Sequence, residues 1–178
     1  MKTILKSISL FLLFSIVSCK QKPAAPKAES IVKARYTKDG ITIKSYDYEG
    51  LRPFLEQKND TLYIVNFWAT WCQPCIEELP NFEKLATAYK NQPVKVVLVS
   101  LDMPKTIESK LIPFIQKHAI ESEVVLLDDK DANTWIEKID STWSGAIPAT
   151  IFYKKEQRVF LEKTFTYEEL KKEIEHFK

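Results

Sequence analysis

The chain begins with an apolar run, passes through a polar stretch, and only then settles into alternating apolar and polar segments. Ile8-Ser9-Leu10-Phe11-Leu12-Leu13-Phe14-Ser15-Ile16-Val17 is almost continuously apolar and follows Lys2 and Lys6. Residues 20–30 (Lys-Gln-Lys-Pro-Ala-Ala-Pro-Lys-Ala-Glu-Ser) carry no large apolar side chain and read as a solvated tether. The folded part is expected to begin near Ile31. Val32 to Tyr36 and Ile41 to Lys44 flank Asp39-Gly40, a dipeptide suited to a hairpin turn. Tyr48 to Gln57 suits a short helix. Leu62-Tyr63-Ile64-Val65-Asn66-Phe67 is a nearly unbroken apolar run, as in a strand covered on both faces. Ile76, Leu79, Phe82, Leu85 and Tyr89 then recur at helical spacing. Val94 to Leu101 is a second buried strand, followed by a helical stretch from Ile107 to His118, and Glu123 to Leu127 is a third strand. Trp135, Ile136 and Ile139 mark one face of a further helix. Ala149 to Tyr153 and Arg158 to Lys163 read as a hairpin joined through residues 154–157. Thr166 and Glu169 have capping-box spacing, and behind them Leu170, Ile174 and Phe177 form an apolar stripe.

That order of elements implies an α/β domain: one mixed sheet with helices on both faces and an N-terminal hairpin extension. At 178 residues, with 45% hydrophobic and 28% charged residues, the composition is that of an ordinary soluble domain plus a tail. Net charge is +2, and setting aside Lys2 and Lys6 leaves 24 basic residues against 24 acidic ones. A near-neutral chain argues against nucleic acid, which needs a basic stripe. Only three glycines occur, too few for a Gly-rich phosphate loop.

The first apolar run is shorter than the roughly 20 residues of a spanning helix. With its two lysines it fits the charged and apolar regions of a secretory signal. Ile16-Val17-Ser18-Cys19 resembles the bacterial lipobox, which implies cleavage before Cys19 and lipid on that cysteine; the alternative is a plain signal peptide with an incidental cysteine. The organisation expected is therefore a signal peptide over 1–18, a lipidated Cys19 with its tether over 19–30, and a folded domain over 31–178. Lipid on Cys19 leaves one pair from the chain's three cysteines, Cys72 and Cys75. Three residues apart, they close too small a ring to stabilise much of the chain, since loop-closure models reward longer loops. Chemistry is the better account of the pair.

The attacking species in disulfide exchange is the thiolate, and a free thiol of pKa about 8.5 is mostly protonated at neutral pH. A cysteine between a strand and a helix has unpaired N–H groups and the helix dipole aimed at its sulfur, which favours thiolate. Pro74 suits a first helical turn, where its missing N–H has no partner to lose. Cys72 is thus the expected nucleophile, and Cys75, one turn on, the thiol that resolves the mixed disulfide. A zinc half-site would need two more ligands, and the only histidines, His118 and His176, are distant in sequence. Asp128, Asp129 and Asp131 read as a solvated turn without full calcium-loop spacing. No metal and no cofactor is called for.

Asn66-Phe67-Trp68-Ala69-Thr70-Trp71-Cys72-Gln73-Pro74-Cys75 resembles the active-site segment of the thioredoxin superfamily, most closely the membrane-anchored TlpA and ResA type. The resemblance covers roughly residues 60–178. It implies a thioredoxin-like fold, and it implies that Gly145-Ala146-Ile147-Pro148-Ala149-Thr150 is the loop holding a cis proline. Pro148 would then lie beside the dithiol and leave the backbone of Ile147 free to pair with an extended client segment. Pro80, five residues after Cys75, matches the family's kinking proline. Trp71 is expected to shield the nucleophile or offer a contact surface, whereas Trp68, Phe67 and Trp143 suit core packing.

Two departures refine the match. Thioredoxin has a buried aspartate where this chain has Asn66, and an amide cannot shuttle protons. The TlpA and ResA type carries a glutamate three residues after the second cysteine, where Glu78 stands. Two readings of Glu78 follow: a proton-handling or thiol-tuning group, or a solvated helix glutamate like Glu77. Residues 31–60 do not closely match the family. With the lipobox reading of Cys19, the resemblance implies an extracytoplasmic, periplasm-facing enzyme anchored through that cysteine; it implies a reductase, since reduction is the family's usual direction and Gln73-Pro74 lacks the histidine of strongly oxidising relatives. Its partners would be a membrane thiol donor and disulfide-bonded clients, with apocytochrome c a client by analogy only. Two rival functions on the same fold are a peroxiredoxin-like peroxidase and a copper-binding module. Ala69 stands where a peroxidase would place Thr or Ser. Copper binding would want CxxxC and a histidine in the loop from Gly145 to Ala149, which has none.

Overall fold

The computed structural model of the protein describes residues 31–177, so the expected signal segment, Cys19 and the tether lie outside the described residues. In chain order the elements are strands β1 (Ala34–Lys38) and β2 (Ile41–Tyr46), helix α1 (Tyr48–Leu51), β3 (Leu62–Trp68), α2 (Gln73–Ala88), β4 (Val94–Ser100), α3 (Ile112–Lys117), β5 (Glu123–Leu127), α4 (Ala132–Ile139), β6 (Ala149–Lys154), β7 (Gln157–Leu161) and α5 (Tyr167–Glu175). The sheet order is β1-β2-β5-β4-β3-β6-β7. Strands β2, β5, β4 and β3 run parallel, while β1, β6 and β7 pair antiparallel to their neighbours. This is the mixed sheet of a thioredoxin-like fold with helices on both faces.

The apolar runs become the centre because they can be covered on both sides. Ile64, Val65, Asn66, Phe67 and Trp68 of β3 are all 0% exposed. Alternation along the strand divides them. Ile64 and Trp68 join Phe82, Leu85, Ile112 and Phe165 beneath α2, α3 and α5. Val65 and Phe67 join Leu51, Trp135 and Trp143 beneath α1 and α4.

The N-terminal hairpin is part of this sheet. Asp39 and Gly40 both adopt positive φ (49° and 81°), as a two-residue hairpin turn requires. Lys44 of β2 then lies opposite Val125 of β5.

Three expected boundaries shift, each for a local reason. The helix predicted over Tyr48 to Gln57 starts on an Asp47 cap (Gly50 N–H to Oδ1, 2.8 Å) but tightens to a 3₁₀ turn at Arg52–Phe54, where Pro53 cannot donate a helical hydrogen bond. The helix predicted from Ile107 opens with a π-helical turn, Ile107–Leu111, just before Pro113, which likewise has no N–H to give. The final hairpin turns on Lys155 and Glu156, and β7 ends at Leu161, short of Lys163. The Thr166–Glu169 capping box is formed in full at the start of α5.

Candidate active site

Cys72 is the N-cap of α2. Its backbone is extended (φ −95°, ψ 97°), and its Sγ accepts from the Cys75 N–H at 3.3 Å. The sulfur therefore sits where the helix presents unpaired donors and the positive end of its dipole, an arrangement that stabilises negative charge by about 0.3–1 kcal/mol on a surface and more when partly buried. Cys72 and Cys75 are joined as a disulfide with Cα atoms 5.3 Å apart. Cys75 is 0% exposed and Cys72 6%. Only Cys72 retains a face toward solvent.

The opposite wall is the loop before β6. The Ile147–Pro148 peptide bond is cis. The Ile147 carbonyl oxygen lies 3.7 Å from Cys72 Sγ, Pro148 is buried and Ile147 half-buried. Trp143 holds this loop from beneath: its ring packs on Phe67 at 4.8 Å, and its Nε1–H donates to the Ala146 carbonyl at 2.7 Å. Ser144 adds two bonds to Glu162, from its N–H at 2.9 Å and its hydroxyl at 2.6 Å. Trp143 is a buried support for the loop. Trp71 stands out beside the dithiol, 66% exposed.

Glu78 lies one turn beyond Cys75 and is 3% exposed, so the reading of it as a solvated glutamate like Glu77 is corrected. Glu77 faces out and accepts from Gln73 Nε2 at 2.9 Å. Glu78 turns under the helix, where its Oε2 accepts from the Phe165 N–H at 2.7 Å and its Oε1 from Asn66 Nδ2 at 2.9 Å. Burial pushes its carboxyl up to about 7, and the two donors offset only part of that shift. Asn66 donates its second amide proton to Thr150 Oγ1 at 3.0 Å. That bond joins β3 to β6 two residues past Pro148, at positions that are register partners. One amide thus links the helix carrying the dithiol to the strand carrying the proline loop. Glu78 also lines an open cleft with Pro74, Asn81 and Phe165.

The structure brings Cys72, Cys75, Glu78, Trp71, Ile147 and Pro148 to one end of the sheet, at the junction of β3, α2 and β6. His118 and His176 lie elsewhere on the surface, His118 stacked on Phe114 at 4.1 Å. Asp131 caps α4, and Asp129 accepts from the Tyr48 and Asp131 N–H groups. Among the described residues no three His, Cys, Asp or Glu side chains converge as a metal site, and no helix is long and apolar enough to cross a membrane. Two contributors escape sequence reasoning, Thr150 and Asp102. Asp102 is a buried carboxylate that accepts from the Thr70 N–H at 3.0 Å and from its hydroxyl at 2.6 Å. The only sequence signal for it is a charge placed directly after the apolar run of β4.

Comparison with known proteins gives a consistent picture. The family model described as the AhpC/TSA family matches residues 32–160. Thiol-disulfide oxidoreductase ResA of Geobacillus thermodenitrificans is 28% identical over 134 residues, covering 74% of this chain and 72% of the relative. The protein of the same name from Halalkalibacterium halodurans is 29% identical over 118 residues, covering 66% of this chain and 62% of the relative, so the chain spans less than two thirds of that protein. Among solved structures, the thioredoxin domain of a thiol-disulfide oxidoreductase from Bacteroides vulgatus superposes with a TM-score of 0.55 at 21% identity, covering 82% of this chain and 94% of that one. At that identity the match speaks for the fold alone.

Proposed function

The chain belongs to the AhpC/TSA family and is an enzyme of thiol–disulfide exchange, and from that premise we propose that it is an extracytoplasmic, membrane-anchored reductase of client protein disulfides. The observation that carries this reading is the seat of Cys72: a sulfur at the N-terminus of a 16-residue helix, 3.7 Å from the Ile147 carbonyl, with Cys75 buried behind it.

The exchange runs in two displacements. In the reduced enzyme the Cys72 thiolate attacks one sulfur of the client disulfide, forming a mixed disulfide and releasing the first client thiolate. Cys75, as thiolate, then attacks the Cys72 sulfur and releases the second client thiol. The client gains two electrons and two protons, and the enzyme is left with the Cys72–Cys75 disulfide. A dithiol donor at the membrane restores the enzyme by the same chemistry and is itself oxidised to a disulfide.

Glu78 handles the proton of Cys75. A carboxyl held at about 7 exchanges protons readily near neutral pH, and its cleft gives it a path to solvent. Ile147 and Pro148 offer the backbone edge on which an extended client segment docks, and Trp71 covers that segment from the other side. In this proposal residues 1–18 are a signal peptide, Cys19 carries the lipid, residues 20–30 form the tether, and residues 31–178 face the periplasm. Apocytochrome c is one client that would suit such an enzyme.

One sample tests the reading against its rivals. Insulin reduction with a dithiol donor should turn over and be lost in Cys72→Ser. Peroxide consumption without disulfide reduction, or stoichiometric copper binding without either activity, would overturn it.

A further inference from the structure

The exchange chemistry above makes no use of the carboxylate at the end of β4. Asp102 is 3% exposed and has no partner cation among the described residues. It is satisfied by three donors: the Thr70 N–H at 3.0 Å, the Thr70 hydroxyl at 2.6 Å and the Ser100 hydroxyl at 2.9 Å. Its own N–H donates to Ser100 Oγ at 3.1 Å, and the neighbouring Leu101 N–H donates to the Trp68 carbonyl at 2.8 Å. A buried carboxylate is costly unless fully hydrogen-bonded, so this one fixes its donors closely. Two of those donors belong to one residue of the short loop leading from β3 into Cys72.

Two large apolar side chains stand exposed among the described residues, Trp71 at 66% and Met103 at 58%. Each is one residue beyond a member of this hydrogen-bonded pair: Trp71 follows Thr70, and Met103 follows Asp102. An isolated exposed apolar residue is ordinary. Here one buried carboxyl group bonds the residue before Trp71 and belongs to the residue before Met103, and Trp71 directly precedes the nucleophile. Cys72 is itself nearly covered, with the Ile147 carbonyl on one side of its sulfur, so a client disulfide reaches it only by crossing the residues at its rim.

Resting on the reductase reading, we infer that Asp102 is a positioning residue and Met103 a specificity-determining one. The Thr70–Asp102 hydrogen bonds set Trp71 and Met103 as a pair beside Cys72, and that pair receives an apolar side chain flanking the client's disulfide. The preferred client segment is thus an extended one with an apolar residue next to its half-cystine.

The test uses two disulfide-bridged peptides identical except for Leu or Gly beside the half-cystine. With the wild-type protein, kcat/KM should favour the Leu peptide on the order of fivefold to tenfold, carried by KM with kcat unchanged. Met103→Gln should bring the ratio close to one. Thr70→Val, which loses the hydroxyl bond, should lower it, and Thr70→Ser, which keeps that bond, should restore it. This pair carries the positioning role even where Asp102→Asn fails to fold. Equal kcat/KM for the two peptides in the wild type, or a preference that survives Met103→Gln, overturns the inference and leaves the reductase reading standing. A preference that survives Thr70→Val removes the role of Asp102. A wild type that reduces neither peptide overturns the reductase reading, and the inference with it.

Discussion

The two faces of the sheet are equally closed to water but differ in what they enclose. Beneath α1 and α4 the strands contribute Val65, Phe67, Val97, Val99 and Ile151, and the aromatic rings pack together, Phe67 on Trp143 at 4.8 Å and Trp135 on Trp143 at 5.6 Å. Beneath α2 and α5 the core is just as apolar at Ile64, Leu98, Phe82 and Phe152. Near the dithiol it changes character: Asn66, Thr150 and Glu78 are all buried there, and the Asn66 amide donates to both of the others. Buried polar groups are costly unless partnered, and an apolar filling would stabilise a core of this size as well. Such a cluster, buried beneath the helix that carries the dithiol and reaching solvent through the Glu78 cleft, marks the face that does chemistry, while the other face supports it.

That contrast can be broken from either side. The largest effect is expected on the supporting face. Phe67→Ala removes a ring that is 0% exposed and should cost about 3–5 kcal/mol in denaturant unfolding, with the pH profile of disulfide reduction unmoved in the folded fraction. A displaced pH profile would mean that the two faces are not separable.

On the chemical face the signature is linkage to pH. Glu78 sits at about 7 in the folded protein against an ordinary 4.5, so the folded state binds this proton more tightly than the unfolded chain does. Below about pH 4.5 the group is protonated in both states and costs nothing. As pH rises from about 4.5 to about 7 the wild type loses stability, and above 7 the loss is complete. Glu78→Gln cannot ionise. The stability of oxidised Glu78→Gln relative to oxidised wild type should therefore rise by roughly 3 kcal/mol from about pH 4 to pH 8. A difference flat with pH would show that Glu78 holds no such proton.

The smallest effect is expected on neither face. Lys58 and Glu156 pair at 2.8 Å across the surface, with both side chains mostly exposed. Lys58→Ala should change stability by less than about 1 kcal/mol and disulfide reduction not at all. A larger loss would place a structural role outside the core.

How much of this could be read from the chain depends on the reach of each interaction. The strand–cysteine–helix junction is local, so Leu62 to Phe67, Pro74 and the apolar spacing of α2 announce it in one stretch. The same holds for the Asp39-Gly40 turn and the Thr166–Glu169 cap. The state of Glu78 is not local. Spacing places it one turn from Cys75, but its burial depends on the Phe165 N–H, 87 residues away, and on Asn66 from a neighbouring strand. Asp102 meets Thr70 across 32 residues, and only the pairing of β3 with β4 brings them together. Periodicity records which face a residue takes; it does not record which distant donor will meet it there.

The central claim is a division of labour between two sulfurs, Cys72 attacking and Cys75 resolving. Trapping tests it most directly. Reduced Cys75→Ser protein mixed with oxidised insulin should accumulate a mixed disulfide, located on Cys72 by mass spectrometry and released by excess dithiol. Reduced Cys72→Ser, with the buried Cys75 as its remaining active-site thiol, should form little or none. An adduct that forms as readily through Cys75, or none on Cys72, would contradict the account.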